Sequence, residues 1–150
     1  MISVITPVFN EEKTLDELFK RLQTSFHKVN ENFELIFVDN GSTDGSLQNI
    51  KKIAEKYDNV KFLSLTKNFG HQGGIWAGLS STENTAVIID SDLQQPPEII
   101  EEFIKKWKEG FKIIMIKKIL DQDTRSWKKF MSRMFYKSIN RLTKLNLFSG

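Results

Sequence analysis

Two carboxylates one residue apart, Asp90 and Asp92, follow directly on the apolar run Ala86-Val87-Ile88-Ile89. Valine and two isoleucines predict a short buried strand there. Pro96, Pro97 and Glu98 signal a helix starting just beyond. Paired carboxylates at the carboxyl end of a strand suit a hard divalent cation, which takes oxygen ligands and can in turn hold phosphates. An isolated Asp-x-Asp carries little weight, because most are solvated turns. This one gains weight from three other polar stretches: residues 7–12, 39–44 and 68–71. Glu11 and Glu12 also suit the positive end of a helix. His71, after a glycine turn, reads first as a structural residue and second as a substrate contact, and His27 as a surface residue.

The elements that would position these loops alternate. A strand over residues 2–6 is expected to stop at Pro7. An amphipathic helix follows over 12–28, with Leu15, Leu18, Phe19, Leu22 and Phe26 three and four apart. The spacing then predicts strands over 34–38, 60–65, 85–89 and 111–116, and helices over 46–57, 72–81 and 97–108. Gly73, Gly74 and Gly78 lower the propensity of the 72–81 helix but allow backbone to approach backbone or ligand. Strand–helix alternation implies a parallel sheet with right-handed crossovers. The loops after the first, second and fourth strands then share one edge of that sheet.

Bulk properties narrow the function classes. The 150 residues, 39% hydrophobic and 27% charged, fit one globular domain. With no cysteine there is neither disulfide nor thiolate metal site, which suits a reducing compartment. The first strand begins at Ile2, so no signal peptide is expected, and no apolar run approaches the ~18 residues of a membrane span. A P-loop and a G-x-G-x-x-G are both absent. An EF-hand starting at Asp39 would need a glutamate where Ile50 stands. The net charge of +3 hides a step: residues 124–150 hold seven cations and no anion, and every acidic residue lies at or before Asp123. Arg125, Lys129, Arg133, Lys137 and Arg141 recur every four residues beside an apolar stripe that includes Trp127, Met131, Met134 and Phe135. Such a helix suits an anionic membrane surface, or packs its stripe on other protein.

Four ordered motifs carry a resemblance. Residues 5–12 (ITPVFNEE), 38–46 (VDNGSTDGS), 67–72 (KNFGHQ) and 90–94 (DSDLQ) resemble family 2 glycosyltransferases of the GT-A fold, most closely the polyprenyl-phosphate subgroup. The resemblance implies a Rossmann-like α/β nucleotide-sugar-binding fold over residues 1–123. Residues 124–150 would be a basic amphipathic helix that begins the acceptor- and membrane-facing part. It implies that Pro7, Phe9, Glu11, Val38 and Asn40 line the nucleoside, and that Asp90, Ser91 and Lys118 meet the phosphates. Asp90, Asp92 and Gln94 would hold Mg²⁺ or Mn²⁺, with Asp92 the nearest candidate for a catalytic group. The activity implied is inverting transfer of a sugar, from a UDP-sugar before GDP-mannose, to a polyprenyl phosphate.

The implied partners are the nucleotide-sugar donor, the lipid acceptor and an anionic membrane surface, with no nucleic acid; a homo-oligomer is compatible with the sequence. The implied location is cytoplasmic and peripheral, at the inner face of the membrane. Two departures stand out: Asn40 where the family usually has aspartate, and Phe9 where it usually has tyrosine. Relatives also continue past Gly150, so the chain reads as a donor-binding half. Transfer to a sugar hydroxyl in polysaccharide assembly and a catalytically incomplete nucleotide-binding module are the alternatives. A phospho-receiver-like domain, which would form an acyl phosphate at Asp90 or Asp39, fits the four loops less well.

Overall fold

Strands and helices alternate strictly in the computed structural model, which describes residues 1–116. In chain order they are β1 (Ile2–Val8), α1 (Leu15–Lys28), β2 (Phe33–Asp39), α2 (Ser46–Lys56), β3 (Val60–Ser64), α3 (Gly70–Leu79), β4 (Thr85–Ile88) and α4 (Ile99–Lys108). All lie within one compact unit, Met1–Ile114. Lys118 and the expected basic helix over 124–150 lie outside the described residues.

The strands form one sheet in the order β3-β2-β1-β4, and every pairing is parallel. Ile5 stands opposite Ile36 on one side and Ile88 on the other. Side chains alternate along each strand, so the sheet has two different faces. Val4, Val8, Leu35 and Phe37 meet α1, α2 and α4 through Leu18, Leu22, Phe26, Ile50, Ile100 and Ile104 in the main core. Ile5, Ile36 and Val38 form a smaller cluster on the other face, against Ala77 and Leu79 of α3. α3 sits close because of its glycines: a Cβ on Gly78 would lie 2.4 Å from Ile5 Cγ2.

Two expectations from sequence are corrected here. β1 runs through Pro7 to Val8 instead of stopping at Thr6. The Ile5 carbonyl accepts from Ile89 N–H, so by alternation Pro7 turns its edge toward β4, beyond the last β4 pair. The missing N–H therefore costs no ladder bond. The strand expected over 111–116 is absent: this stretch pairs with no strand among the described residues, and Ile113 and Met115 are 80% and 84% exposed. Its apolar residues have the β propensity, but a strand needs a partner, and propensity alone does not supply one.

Candidate active site

The order β3-β2-β1-β4 reverses direction between β1 and β4, and in such sheets a crevice opens at the carboxyl ends of the strands beside the reversal. A cleft of about 330 Å³ lies there, lined from all four strand ends. Pro7, Val8, Phe9 and Glu11 come from the loop after β1, and Asn40 from the loop after β2. Asn68, Gly70 and His71 come from the start of α3, and Asp90, Ser91 and Asp92 from the loop after β4. Phe9 offers an exposed aromatic face beside three carboxylates. His71 is the one basic side chain among these lining residues, with Nε2 3.4 Å from Asp90 Oδ1.

The loops after β1 and β2 are zipped together. Asn10 N–H donates to Ser42 Oγ, and Thr43 N–H donates to Asn10 Oδ1. Glu11 N–H donates to Ser46 Oγ at 2.8 Å, and Gly45 N–H to Glu12 Oε2. A Cβ at Gly45 would lie 2.4 Å from the Glu12 carboxyl carbon, so a side chain there would push the exposed Glu12 carboxylate off the Gly45 N–H. Burial works against the Asp44 carboxylate, but hydrogen bonds from the Ser46 hydroxyl and N–H and from Glu12 N–H outweigh it and hold Asp44 below its usual range. Asp39 closes the turn by accepting from Ser42 N–H and Ser64 Oγ. It is almost fully buried and takes no part in the cleft wall.

The acidic loop is held just as firmly. Ser91 is buried, and its hydroxyl donates to the Pro7 carbonyl at 2.9 Å. Asp92 Oδ1 accepts from Gln94 N–H, and its other oxygen meets no hydrogen-bond donor among the described residues. Leu93 takes φ +57, a left-handed conformation that disfavours a bulky residue, while its side chain packs on the main core. At the end of the loop, the Arg21 guanidinium forks onto Glu98, with Nε to Oε1 at 2.8 Å. That pair ties α1 to the start of α4, and the Arg21 hydrogen bond holds the Glu98 carboxyl down at about 2 against the opposing effect of burial.

The chain has relatives among known proteins. Residues 3–149 match the model of glycosyl transferase family 2. The chain belongs to that family. It is 36% identical over 146 residues to the uncharacterized glycosyltransferase YkcC of Bacillus subtilis, covering 97% of this chain and 45% of that protein. It is 35% identical over 145 residues to an undecaprenyl-phosphate 4-deoxy-4-formamido-L-arabinose transferase of Proteus mirabilis, covering 95% and 44%. Among solved structures, TarS 1–349 of S. aureus in complex with UDP-GlcNAc aligns with a TM-score of 0.55 at 30% identity, covering 72% of this chain and 30% of that one. The chain spans less than half the length of these curated relatives.

Within this glycosyl transferase family 2 chain, the residues named from sequence divide into three groups. Pro7, Phe9, Glu11, Asn40, Asp90, Ser91 and Asp92 converge on the cleft. Val38 does not: it is fully buried and faces Gly78 and Ile5 beneath α3, because it lies within β2, one residue short of the strand end, where α3 covers the sheet. Gln94 is exposed and outside the cleft wall, meeting Asp92 through its backbone N–H. Ser91 gives its hydroxyl to the Pro7 carbonyl, so it shapes the loop.

Sequence reasoning gave Asn68 no role, and it placed a substrate contact for His71 second to a structural one. Both stand in a motif that the sequence singled out, Lys67-Asn68-Phe69-Gly70-His71, so the signal was present without a direction for the side chains.

The donor set can be tested against a cation. Among the described residues, no three His, Cys, Asp or Glu side chains gather as a ligand set. Asp90 and Asp92 are two carboxylates in an open cleft, and among the described residues Asp92 keeps one oxygen unengaged by a hydrogen bond. Two carboxylates with the remaining positions left to phosphate and water is how Mg²⁺ is commonly held beside a nucleotide. The residues present fit such an ion.

Proposed function

We propose that the chain is the donor-binding part of an inverting glycosyltransferase that moves a sugar from a nucleoside diphosphate sugar, a UDP-sugar before GDP-mannose, to a polyprenyl phosphate. The observation that carries this reading is the single cleft in which the exposed Phe9 ring shares space with Asp90 and Asp92. One end of that cleft suits a nucleoside, which stacks on an aromatic face, and the other suits its phosphates. The undecaprenyl-phosphate transferase at 35% identity supports the lipid acceptor. The UDP-GlcNAc in the TarS structure at 30% identity supports a uridine donor.

In this reading Phe9 stacks on the base, while Pro7 and Glu11 wall the nucleoside. Asp90 and Asp92 would hold Mg²⁺ or Mn²⁺, which when bound neutralises charge gathering on the diphosphate leaving group. The acceptor phosphate monoester has its second pKa near ~6, so it is largely dianionic at neutral pH. One of its oxygens forms a bond to the anomeric carbon as the bond from that carbon to the diphosphate oxygen breaks. Attack from the face opposite the leaving group inverts the centre. No general base is required, so Asp92 is better read as a cation ligand than as a proton acceptor.

The basic helix expected over residues 124–145 would then bring the domain to an anionic bilayer, where the acceptor resides. Among the described residues no helix is long and apolar enough to cross a membrane. Sedimentation with anionic liposomes tests the docking, and absence of salt-sensitive binding rules it out.

Isothermal titration of UDP, GDP, UDP-GlcNAc and GDP-mannose, each with and without Mn²⁺, tests the donor reading. Uridine nucleotides are expected to bind, and more tightly with the ion. If no nucleoside diphosphate binds in either condition, the reading is wrong. A transfer assay comparing undecaprenyl phosphate with oligosaccharide acceptors separates the lipid reaction from transfer to a sugar hydroxyl.

A further inference from the structure

Asn40 invites a role in reading the base, since it lines the cleft and an amide can both donate and accept. We infer that it is a positioning residue: its amide is a strut that ties the end of β2 to the first turn of α3, and so sets where Gly70 and His71 stand. The effect on nucleotide binding rests on the donor-site reading; the strut itself does not.

The amide has one possible orientation. The Gly70 carbonyl can only accept and the Phe69 N–H can only donate, so Nδ2 must face the first and Oδ1 the second. The distances agree, at 2.9 Å for Nδ2 to Gly70 O and 2.9 Å for Phe69 N to Oδ1. Nδ2 also donates to Asn68 Oδ1 at 3.2 Å, and that same oxygen accepts from Gly70 N–H at 2.7 Å. Both Nδ2 hydrogens therefore have acceptors, and the side chain is almost fully buried. Little of the amide remains for a base.

Surrounding packing holds the strut in place. Gly41, at φ +74, brings its backbone so near Lys67 and Asn68 that a Cβ would lie 2.7 to 2.9 Å from them. Gly74, one turn into α3, passes over the amide, with room for only a Cβ at 3.6 Å from Nδ2. Gly70 itself takes φ +78 and turns the chain into α3. The next residue, His71, consequently projects into the cleft and ends 3.4 Å from Asp90.

A carboxylate of the same shape cannot make the two donations that Nδ2 makes in this chain. In Asn40→Asp, an oxygen would face the Gly70 carbonyl and the Asn68 oxygen, with no hydrogen between them. Hydrogen exchange on the ligand-free chain should show residues 69–74 exchanging faster by about tenfold or more, with β1 and β2 unchanged. Asn68→Ala, which removes one acceptor from the other side, should loosen the same stretch less. It carries the exchange test alone if Asn40→Asp does not fold. Unchanged protection of 69–74 overturns the strut.

The second readout is affinity. UDP and GDP should both weaken in Asn40→Asp, by the same factor. A loss confined to one base makes Asn40 a base reader and overturns the inference, and unchanged affinity with a loosened turn overturns its positioning role. If the wild-type chain binds neither nucleotide, the donor reading fails while exchange still decides the strut.

Discussion

Substituting Gly78 by alanine sets helix propensity against packing, and the structure says which wins. Alanine is better than glycine in a helix interior by about 1 kcal/mol, and less so here, one residue from the end of α3. Against that, the new methyl would lie 2.4 Å from Ile5 Cγ2 and 3.1 Å from Val38 Cγ2. Carbon pairs settle at about 3.5–4.0 Å, so relief requires a shift of about 1 Å. Ile5 and Val38 are fully buried and β-branched, which leaves them stiff about χ1. Overpacking of this kind costs about 1–3 kcal/mol. The net expectation is a loss of about 1–2 kcal/mol, or roughly 4–8 °C in Tm for a domain of this size.

Thermal and urea unfolding of Gly78→Ala would measure this directly. Ile5→Ala removes the offending methyl, so the double variant should be less destabilised than the sum of the singles, with about 1–2 kcal/mol of favourable coupling. Because α3 also carries Gly70 and His71, lifting it off the sheet should weaken nucleotide binding as well. If Gly78→Ala is as stable as the wild type or more so, α3 does not depend on the close approach, and the packing argument is wrong.

Three further outcomes are expected. Asp90→Asn and Asp92→Asn should each abolish the Mn²⁺-dependent gain in UDP affinity, by about tenfold or ~1.4 kcal/mol in calorimetry, while metal-free binding stays level. Glu98 is held at about 2, chiefly by Arg21. The stability this gives is fully present above pH 4.5 and is lost as pH falls through about 2. The side chains are 31% and 40% exposed, so the pair is worth under about 1 kcal/mol, and Arg21→Ala should only flatten the acid limb of Tm against pH.

Glu34, at the amino end of β2, is held at about 2 first by Lys61 and then by Ser3 and Asn84. Glu34→Ala should cost about 2–3 kcal/mol in urea unfolding. Nucleotide affinity should not change, since the residue lies at the end of the sheet away from the cleft.

Much of this arrangement is legible in the chain because periodicity reports burial. Leu15, Leu18, Leu22 and Phe26 mark the buried stripe of α1, and each is fully buried. Alternation of strands and helices puts the polar loops on one edge, and the cleft is there. What stays hidden is the direction of single side chains. So does the reach of a covering helix: Val38 and Asn40 turn to the same face two residues apart, yet α3 seals Val38 in while Asn40, past the strand end, lines the cleft. Ser91 reads as a phosphate contact until its hydroxyl is seen on the Pro7 carbonyl. Pro7 reads as the end of a strand, because what rescues it is the point at which β4 stops pairing, and that is a fact about another part of the chain. The same holds for residues 111–116, whose apolar character favours a strand but cannot provide a neighbour.

The bond from Ser91 to Pro7 has a metric consequence. Phe9 follows directly on β1, and the same strand, through the Pro7 carbonyl, anchors the turn that bears both acidic groups. The gap between ring and carboxylates is therefore measured along one stretch of backbone and does not depend on how two mobile loops meet. In the proposed reading that gap is the span between the stacked base and the phosphates, so the backbone serves as the ruler. Lengthening the chain between Ile5 and Phe9 by one residue would miscalibrate that ruler. The same insertion at the solvent side of α1 or α2 would leave its scale intact.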